Sequence, residues 1–421
     1  MSMAAQHHEL AKKTFDISIV RQDFPILHQH VNGKPLAFLD SAASAQKPVA
    51  VLDRLQRVYR EHYANVHRGL YSLSEQSTEA FEQTRGKVAN FINAASEKEI
   101  VFTRGATEAI NLVAYSYGMH FLKSGDEIML SEMEHHANIV PWQQVVEKTG
   151  AKIEIVAVTD NGELDMQSFR QKLSKHTKIV SMLQTSNALG TELPISEIIT
   201  LAHDAGAVVL VDACQSVVHR EIDVQALDAD FLVFSGHKLY GPNGTGVLYG
   251  KYHLLQSMPP YQTGGEMILD VDFYLGSSFQ EPPLRFEAGT PVIAEVIALG
   301  EAIDYVSSFD RNIIQQHEKA LMEKAADAIR SMSGFRIIGE AKNKAAILSF
   351  VHEDAHPNDI GAILDQCGVA VRAGHHCALP LMKRLGLPAT ARASFAMYSN
   401  EDDVNALVAA LHKVNKMFGG A

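Results

Sequence analysis

From about residue 99 the chain alternates short apolar runs with helix-like stretches, the runs being EIVFTRG, DEIMLSEM, KIEIVAV, TKIVSMLQTSN, AVVLVDA, FLVFSG and GVLYG. They are rich in Ile and Val and apolar at successive positions, so both faces of each strand need cover. Stretches such as ATEAINLVAYSYGMHF and ISEIITLAHDAG supply the covering helices. The pattern predicts an α/β fold around a mostly parallel seven-stranded sheet. Ligands of such sheets sit beyond the carboxyl ends of the strands. The residues that follow each run are therefore the ones to read for chemistry.

A chain of 421 residues is longer than the ~250–300 residues at which single cores stop growing, which predicts two domains. Ahead of the sheet, Leu52, Leu55, Val58 and Tyr59 recur at helical spacing, and SEQSTEAFEQTRGKVANFI reads as a second helix. After the long helix in PVIAEVIALGEAIDYVSSF the order changes to helix, FRIIG, AILSFVH, helix HPNDIGAILDQCG, VAVRAG, TARASFAMY and a last helix. The expected division is an N-terminal segment 1–32 packed with the small domain, a large domain 33–305, and a smaller α+β C-terminal domain 306–421.

The net charge of −12 does not suit a nucleic-acid surface, which needs clustered cations. No run approaches the ~20 apolar residues that cross a bilayer, and the start MSMAAQHHELAKK lacks the apolar core of a secretory signal. Three cysteines, Cys214, Cys367 and Cys377, make a poor disulfide framework. These features predict a cytoplasmic protein that binds neither membrane nor nucleic acid.

The run FLVFS leads at once into GHKLYGPNGTG, placing Lys238 at a strand end among glycines that let a ligand approach the backbone. An amine held there can condense with an aldehyde to form a Schiff base. The alternative is a solvated loop lysine. AVVLVDACQS ends in Asp212, a carboxylate that needs a positive partner, and the protonated ring nitrogen of pyridoxal phosphate is one; a metal ion or a helix cap are others. In TRGATEAINLV a strand runs through Gly105 into a helix starting near Thr107, whose free amides suit a phosphate. Thr107 acting as a plain helix cap reads equally well there. DEIMLSEM leads to Glu134, His135 and His136, where an imidazole can stack on a flat ring and move protons.

A second centre lies in VRAGHHCALPLM. Cys377 follows two histidines and lies close to Arg372, and cationic neighbours favour the nucleophilic thiolate. A zinc site of His375, His376 and Cys377 is disfavoured, since adjacent residues rarely converge on one ion, and no metal is expected. Cys367, in AILDQCG, and Cys214 read as buried small residues. Arg392 in TARASF presents a guanidinium suited to a carboxylate, or to a surface salt bridge.

These segments, with EHHANIVPW and NVHRGLYSLS, stand in the order and spacing of the Suf-type, or group II, cysteine desulfurases, which the chain resembles from about Ile19 onward. GHK with an upstream DxxQ is shared by many class V aminotransferase-like proteins, whereas RAGHHCA followed by Arg392 is specific to the desulfurase and selenocysteine lyase branch. The resemblance implies a homodimeric pyridoxal-phosphate enzyme of fold type I with sites at the dimer interface. Lys238 would carry the Schiff base, Asp212 would pair with the ring nitrogen, Gln215 would bond the ring hydroxyl, and His135 would stack on the ring and relay protons. Asn187 would lie beside cofactor and substrate. Ala106, Thr107, Ser235 and His237 would hold the phosphate, with Thr290 contributed by the other subunit. Arg392 would bind the substrate carboxylate and Arg372 would line the entrance.

The implied activity converts L-cysteine to L-alanine with a persulfide on Cys377, handed to a Suf-type acceptor protein for iron-sulfur cluster assembly. Selenocysteine lyase, acting on L-selenocysteine, is the alternative on the same frame. An aminotransferase or a non-catalytic scaffold makes less use of Cys377. Two departures stand out: Ala106 where Thr is common, and Cys214 where Ala is usual.

Overall fold

The structure is a computed structural model that describes residues 12–418; residues 1–11 of the N-terminal segment lie outside the described residues. The seven apolar runs form β1 (Ile100–Thr103), β2 (Glu127–Ser131), β3 (Lys152–Val156), β4 (Thr177–Leu183), β5 (Val208–Asp212), β6 (Phe231–Ser235) and β7 (Gly246–Gly250). They make one sheet in the order β1-β7-β6-β5-β4-β2-β3. The pairs β2·β3, β2·β4, β4·β5 and β5·β6 are parallel, while β7 runs antiparallel between β1 and β6. The inner strands are buried along their length and only the edge strand β3 carries exposed positions, as expected of a sheet covered by helices on both faces.

The helical runs appear as α1 (Val49–Arg57), α2 (Ser72–Phe91), α3 (Ala106–Val113) and α4 (Ile293–Ser307). α4 is buried nearly all round and packs on α1 and α2, which explains its almost unbroken apolar sequence. The stretch expected as one helix from Ala106 onward instead widens into a π-helical turn at Ala114–Gly118. There Gly118 packs so closely on Trp142 and Val145 that a Cβ would lie 3.1–3.3 Å from their side chains.

Beyond α4 come α5 (Arg311–Arg330), α6 (Pro357–Gln366) and α7 (Glu401–Phe418), packed on an antiparallel sheet. Its strands are β10 (Phe335–Ile338), β11 (Ile347–His352), β12 (Arg372–Gly374) and β13 (Thr390–Ser394), in the order β10-β11-β13-β12. The run VAVRAG is not one strand. Val369–Ala370 pair in parallel with Ala37–Phe38, and only Arg372–Gly374 join β13. The strand changes partner because the Ala37 and Leu39 amides donate to Gly368 O and Ala370 O. The hairpin β8 (Ile268–Asp272) and β9 (Gly276–Phe279) had no counterpart in the sequence reading. Its tip exposes Phe273, Tyr274 and Leu275 almost completely.

Candidate active site

The ends of β5 and β6 and the start of α3 meet at one point. Gly246, opposite both Thr103 and Ser235 in the antiparallel ladder, lies so close to Gly105 that a Cβ on it would sit 2.3 Å from the Gly105 Cα. Only glycine permits this approach. It brings the N-terminus of α3 against Ser235, whose Oγ accepts from the Ala106 amide at 2.9 Å. The helix begins at Ala106 with Gly105 as N-cap and no side-chain cap. Thr107 is therefore not the cap but an exposed first-turn residue, where amides have no partner within the helix.

Around this point lies a cavity of about 170 Å³. Ala106, Thr107, His135, Asn187, Asp212, Gln215, Ser235, His237, Lys238, Arg372, Cys377 and Arg392 all line it. Thr290 does not. It is exposed and lines a second cavity with Arg104, Tyr261 and Glu287. Cys214 also lines the first cavity. Sequence reasoning treated it as a structural residue, yet burial and the neighbouring Asp212 push its thiol pKa far up, so it stays a neutral thiol beside that carboxylate. Cys367 is only half-buried, at the end of α6, with Lys413 Nζ 3.3 Å from its sulfur.

The sheet-end part of the cavity is held by short-range bonds. Asp212 accepts from the Cys214 amide at 2.9 Å, and Gln215 Nε2 donates to Ala42 O at 2.8 Å. Burial and the Lys238 charge hold the His135 imidazole down to about 4, so it is neutral at pH 7; its Nδ1 accepts from the Ala137 amide. His237, depressed to about 4 by burial and by Lys238 and Lys47, faces Ser44 Oγ at 3.2 Å. Beneath lies Glu134, fully buried and raised to about 8 by burial. It is tied to Ser131, Asn138 and the Leu183 amide, and Asn138 in turn accepts from Trp142 Nε1 and Ser181. This network sets the strand end that carries His135, and its Glu was passed over because spacing alone does not reveal burial.

The thiol side is built differently. His376 and Cys377 both have left-handed backbone, with φ of 53° and 55°. His376 is buried, bonds Thr390 Oγ1 at 2.8 Å, and is held down to about 3 by burial and by Arg392 and Arg372. Three links join this loop to the large-domain side of the cavity. The His136 amide donates to Cys377 O at 2.7 Å, and Asn187 Nδ2 donates to His376 O at 2.7 Å. His136 Nε2 also accepts from the Leu379 amide.

Arg392 is almost fully buried and donates to Asn187 O at 2.8 Å and to Asp40 Oδ1 at 3.0 Å. Around the cavity, Arg392 Nε, Asn187 Oδ1 and Thr185 Oγ1 are buried without a partner. Buried polar atoms are rarely left so, and here they face a space that a polar ligand can fill. A lysine amine, a sheet-end carboxylate, a flat imidazole and helix-start amides with hydroxyls fit a pyridine aldehyde that bears a phosphate.

The family model described as aminotransferase class-V matches residues 37–407, a fold-type I class whose cofactor is pyridoxal phosphate. The chain is 52% identical to a cysteine desulfurase of Dickeya dadantii (strain 3937) over 96% of its own length and 98% of that protein. It is 48% identical to a cysteine desulfurase of Pectobacterium atrosepticum over 96% of this chain and the whole of that one. Among solved structures, the Escherichia coli cysteine desulfurase CsdA in its S-sulfonic acid form matches with a TM-score of 0.90 and 40% identity, covering 96% of this chain and 100% of that chain. A cysteine desulfurase of Thermococcus onnurineus matches with a TM-score of 0.91 and 37% identity, covering 97% and 100%. The chain belongs to the class-V aminotransferase family and, within it, to the cysteine desulfurases.

Proposed function

We propose that this enzyme removes sulfur from L-cysteine with the help of pyridoxal phosphate, releases L-alanine, and holds the sulfur as a persulfide on Cys377. The observation that carries the reading is that Lys238, from the end of β6, and Cys377, from the loop after β12, line one cavity. Bound pyridoxal phosphate supplies an electron sink that loosens the substrate's carbon–sulfur bond.

Lys238 would hold the cofactor's aldehyde end, and its amine, once displaced by the substrate amine, would move the α-proton. Asp212 would keep the ring nitrogen protonated, with Gln215 at the ring hydroxyl and His135 on the ring face. Ala106, Thr107, Ser235 and His237 would hold the phosphate. Arg392, with Asn187 and Arg372 beside it, would grip the substrate carboxylate. The Cys377 thiolate would then attack the substrate sulfur. A sulfur–sulfur bond forms, the Cβ–sulfur bond breaks, and the electron pair returns to the substrate carbon, which takes a proton to give L-alanine. His135, neutral at pH 7, is suited to relay that proton.

A homodimer accords with the exposed apolar residues of the β8–β9 hairpin and of Leu70, and with Thr290 standing apart from the first cavity, where it would serve the partner's site. Cys377 is half-buried at the cavity, beside exposed His375 and Leu379. That position suits delivery to a docked Suf-type acceptor protein for iron-sulfur assembly. We place the protein in the cytoplasm, in keeping with its sparse cysteines; no described helix is long and apolar enough to cross a membrane. The large domain 33–305 and the small domain from 306 onward, with residues 12–32 along the latter, would each supply one wall of the site.

The test is mass measurement of the protein after L-cysteine treatment. One added sulfur on a peptide containing Cys377, absent in Cys377→Ala, supports the reading; full desulfuration by Cys377→Ala sinks it. Parallel turnover of L-selenocysteine separates the lyase alternative.

A further inference from the structure

Arg372 and Arg392 stand directly opposite each other on the antiparallel strands β12 and β13. Like charges in that position repel, and Arg392 is buried, so a counter-charge is required. It comes from Asp40, a residue distant in sequence. Its Oδ1 accepts from Arg392 Nη2 at 3.0 Å and its Oδ2 from Arg372 Nε at 3.3 Å. Both arginines line the cavity and Asp40 does not. The carboxylate therefore takes them from behind and leaves the cavity side open.

Asp40 is itself fixed by the strand that carries Arg392. It forms a parallel bridge with Ser394, two residues further along β13. The Ser394 amide donates to Leu39 O at 2.8 Å, and Ser394 Oγ accepts from the Ala42 amide at 2.9 Å. With Nη1 on Asn187 O and Nη2 on Asp40, the planar guanidinium of Arg392 has one orientation, which leaves its Nε buried and unpaired.

We propose that Asp40 is the positioning residue of the substrate-carboxylate clamp: it orients Arg392 and Arg372 and reduces their double charge to a single positive charge, matched to one carboxylate. This rests on the reading that Arg392 receives the substrate carboxylate. Without the Asp40 charge the two guanidiniums repel, Arg392 loses the bond that sets its plane, and the carboxylate meets a misaligned clamp. The amine and sulfur ends of the substrate, served by other residues, are little affected.

The experiment compares Asp40→Asn with the parent holoenzyme. Expected are rises of about tenfold or more in KM for L-cysteine and in Kd for L-alanine, with a smaller loss of kcat, the scale of losing one partner of a buried charge pair. Binding of cysteamine, which lacks the carboxylate, stays as in the parent. Equal weakening of cysteamine, or L-alanine binding that is unchanged or tighter, overturns the proposal. The last of these would make Asp40 a competitor for Arg392 rather than its support. Should Asp40→Asn not fold, Asp40→Glu keeps the charge on a longer arm and must show the same selective loss of L-alanine over cysteamine; a uniform loss or none overturns it. Arg392→Gln is the control for the underlying reading. If it leaves KM unmoved, both readings fall, whereas a raised KM there with Asp40→Asn unaffected overturns the Asp40 role alone.

Discussion

The two halves of the site are built on opposite principles. Around Lys238, side chains near strand ends are fixed by buried bonds that reach down through Glu134, Asn138 and Trp142, and a single left-handed non-glycine residue, Tyr240, follows. Around Cys377 the backbone takes two left-handed residues in succession, the thiol is half-buried, and the loop is tied to the sheet at a few points. On the proposed function, the contrast matches two different tasks. Proton movement at a flat cofactor needs a fixed, dry surround, whereas a sulfur carrier must meet a substrate on one side and an acceptor on the other.

Removing each centre in turn separates the two halves. Lys238→Ala should abolish the lysine-linked cofactor absorbance and lower turnover by about 10³-fold or more, on the scale of losing a positioned proton-transfer group. Cys377→Ala should leave the absorbance intact and lose only the persulfide. If both variants lose the absorbance, the halves are not separable. Next in size, Asp212→Asn should weaken cofactor retention by about 3 kcal/mol, the cost of breaking a buried charge pair. Equilibrium dialysis of the cofactor measures it, and retention equal to the parent's would remove Asp212 from the ring nitrogen.

On the thiol side the handle is pH. His376 titrates near 3 in the folded chain, held down by burial, and near ~6.5 when unfolded. Below 6.5 the unfolded chain binds the extra proton first, so the stability due to neutral His376 is full above that pH and is lost as pH falls toward 3. Between pH 7 and 5 its share is about 2 kcal/mol. Melting curves of His376→Gln should show that much less acid sensitivity, and an unchanged pH dependence would count against a buried neutral imidazole. The smallest effect belongs to His136→Ala. It removes the bond to the Leu379 amide and should cost about 1 kcal/mol, seen as faster hydrogen exchange at Leu379 with exchange in the β4–β5 core unaltered.

The same contrast explains what could be read from sequence. The seven strands were legible because burial on both faces leaves continuous apolar runs, and Lys238 and Asp212 stood out as charged residues closing such runs. Cys377 and Arg392 were legible through motif resemblance. Asp40 was not, since its partners lie far along the chain on β12 and β13 and nothing local marks a carboxylate that serves two arginines. Glu134 sat in plain view between β2 and His135, but only the fold shows that it is buried. The β8–β9 hairpin escaped because its apolar residues face outward, against the rule by which strands were recognised.

The left-handed pair at His376 and Cys377 carries a consequence for anyone who engineers this enzyme for robustness. Each such non-glycine residue gives up about 1 kcal/mol that glycine at the same place would not. Cys377→Gly should therefore melt higher than the parent while delivering no sulfur. A selection for heat resistance alone would thus discard the residue to which the proposed function assigns the sulfur.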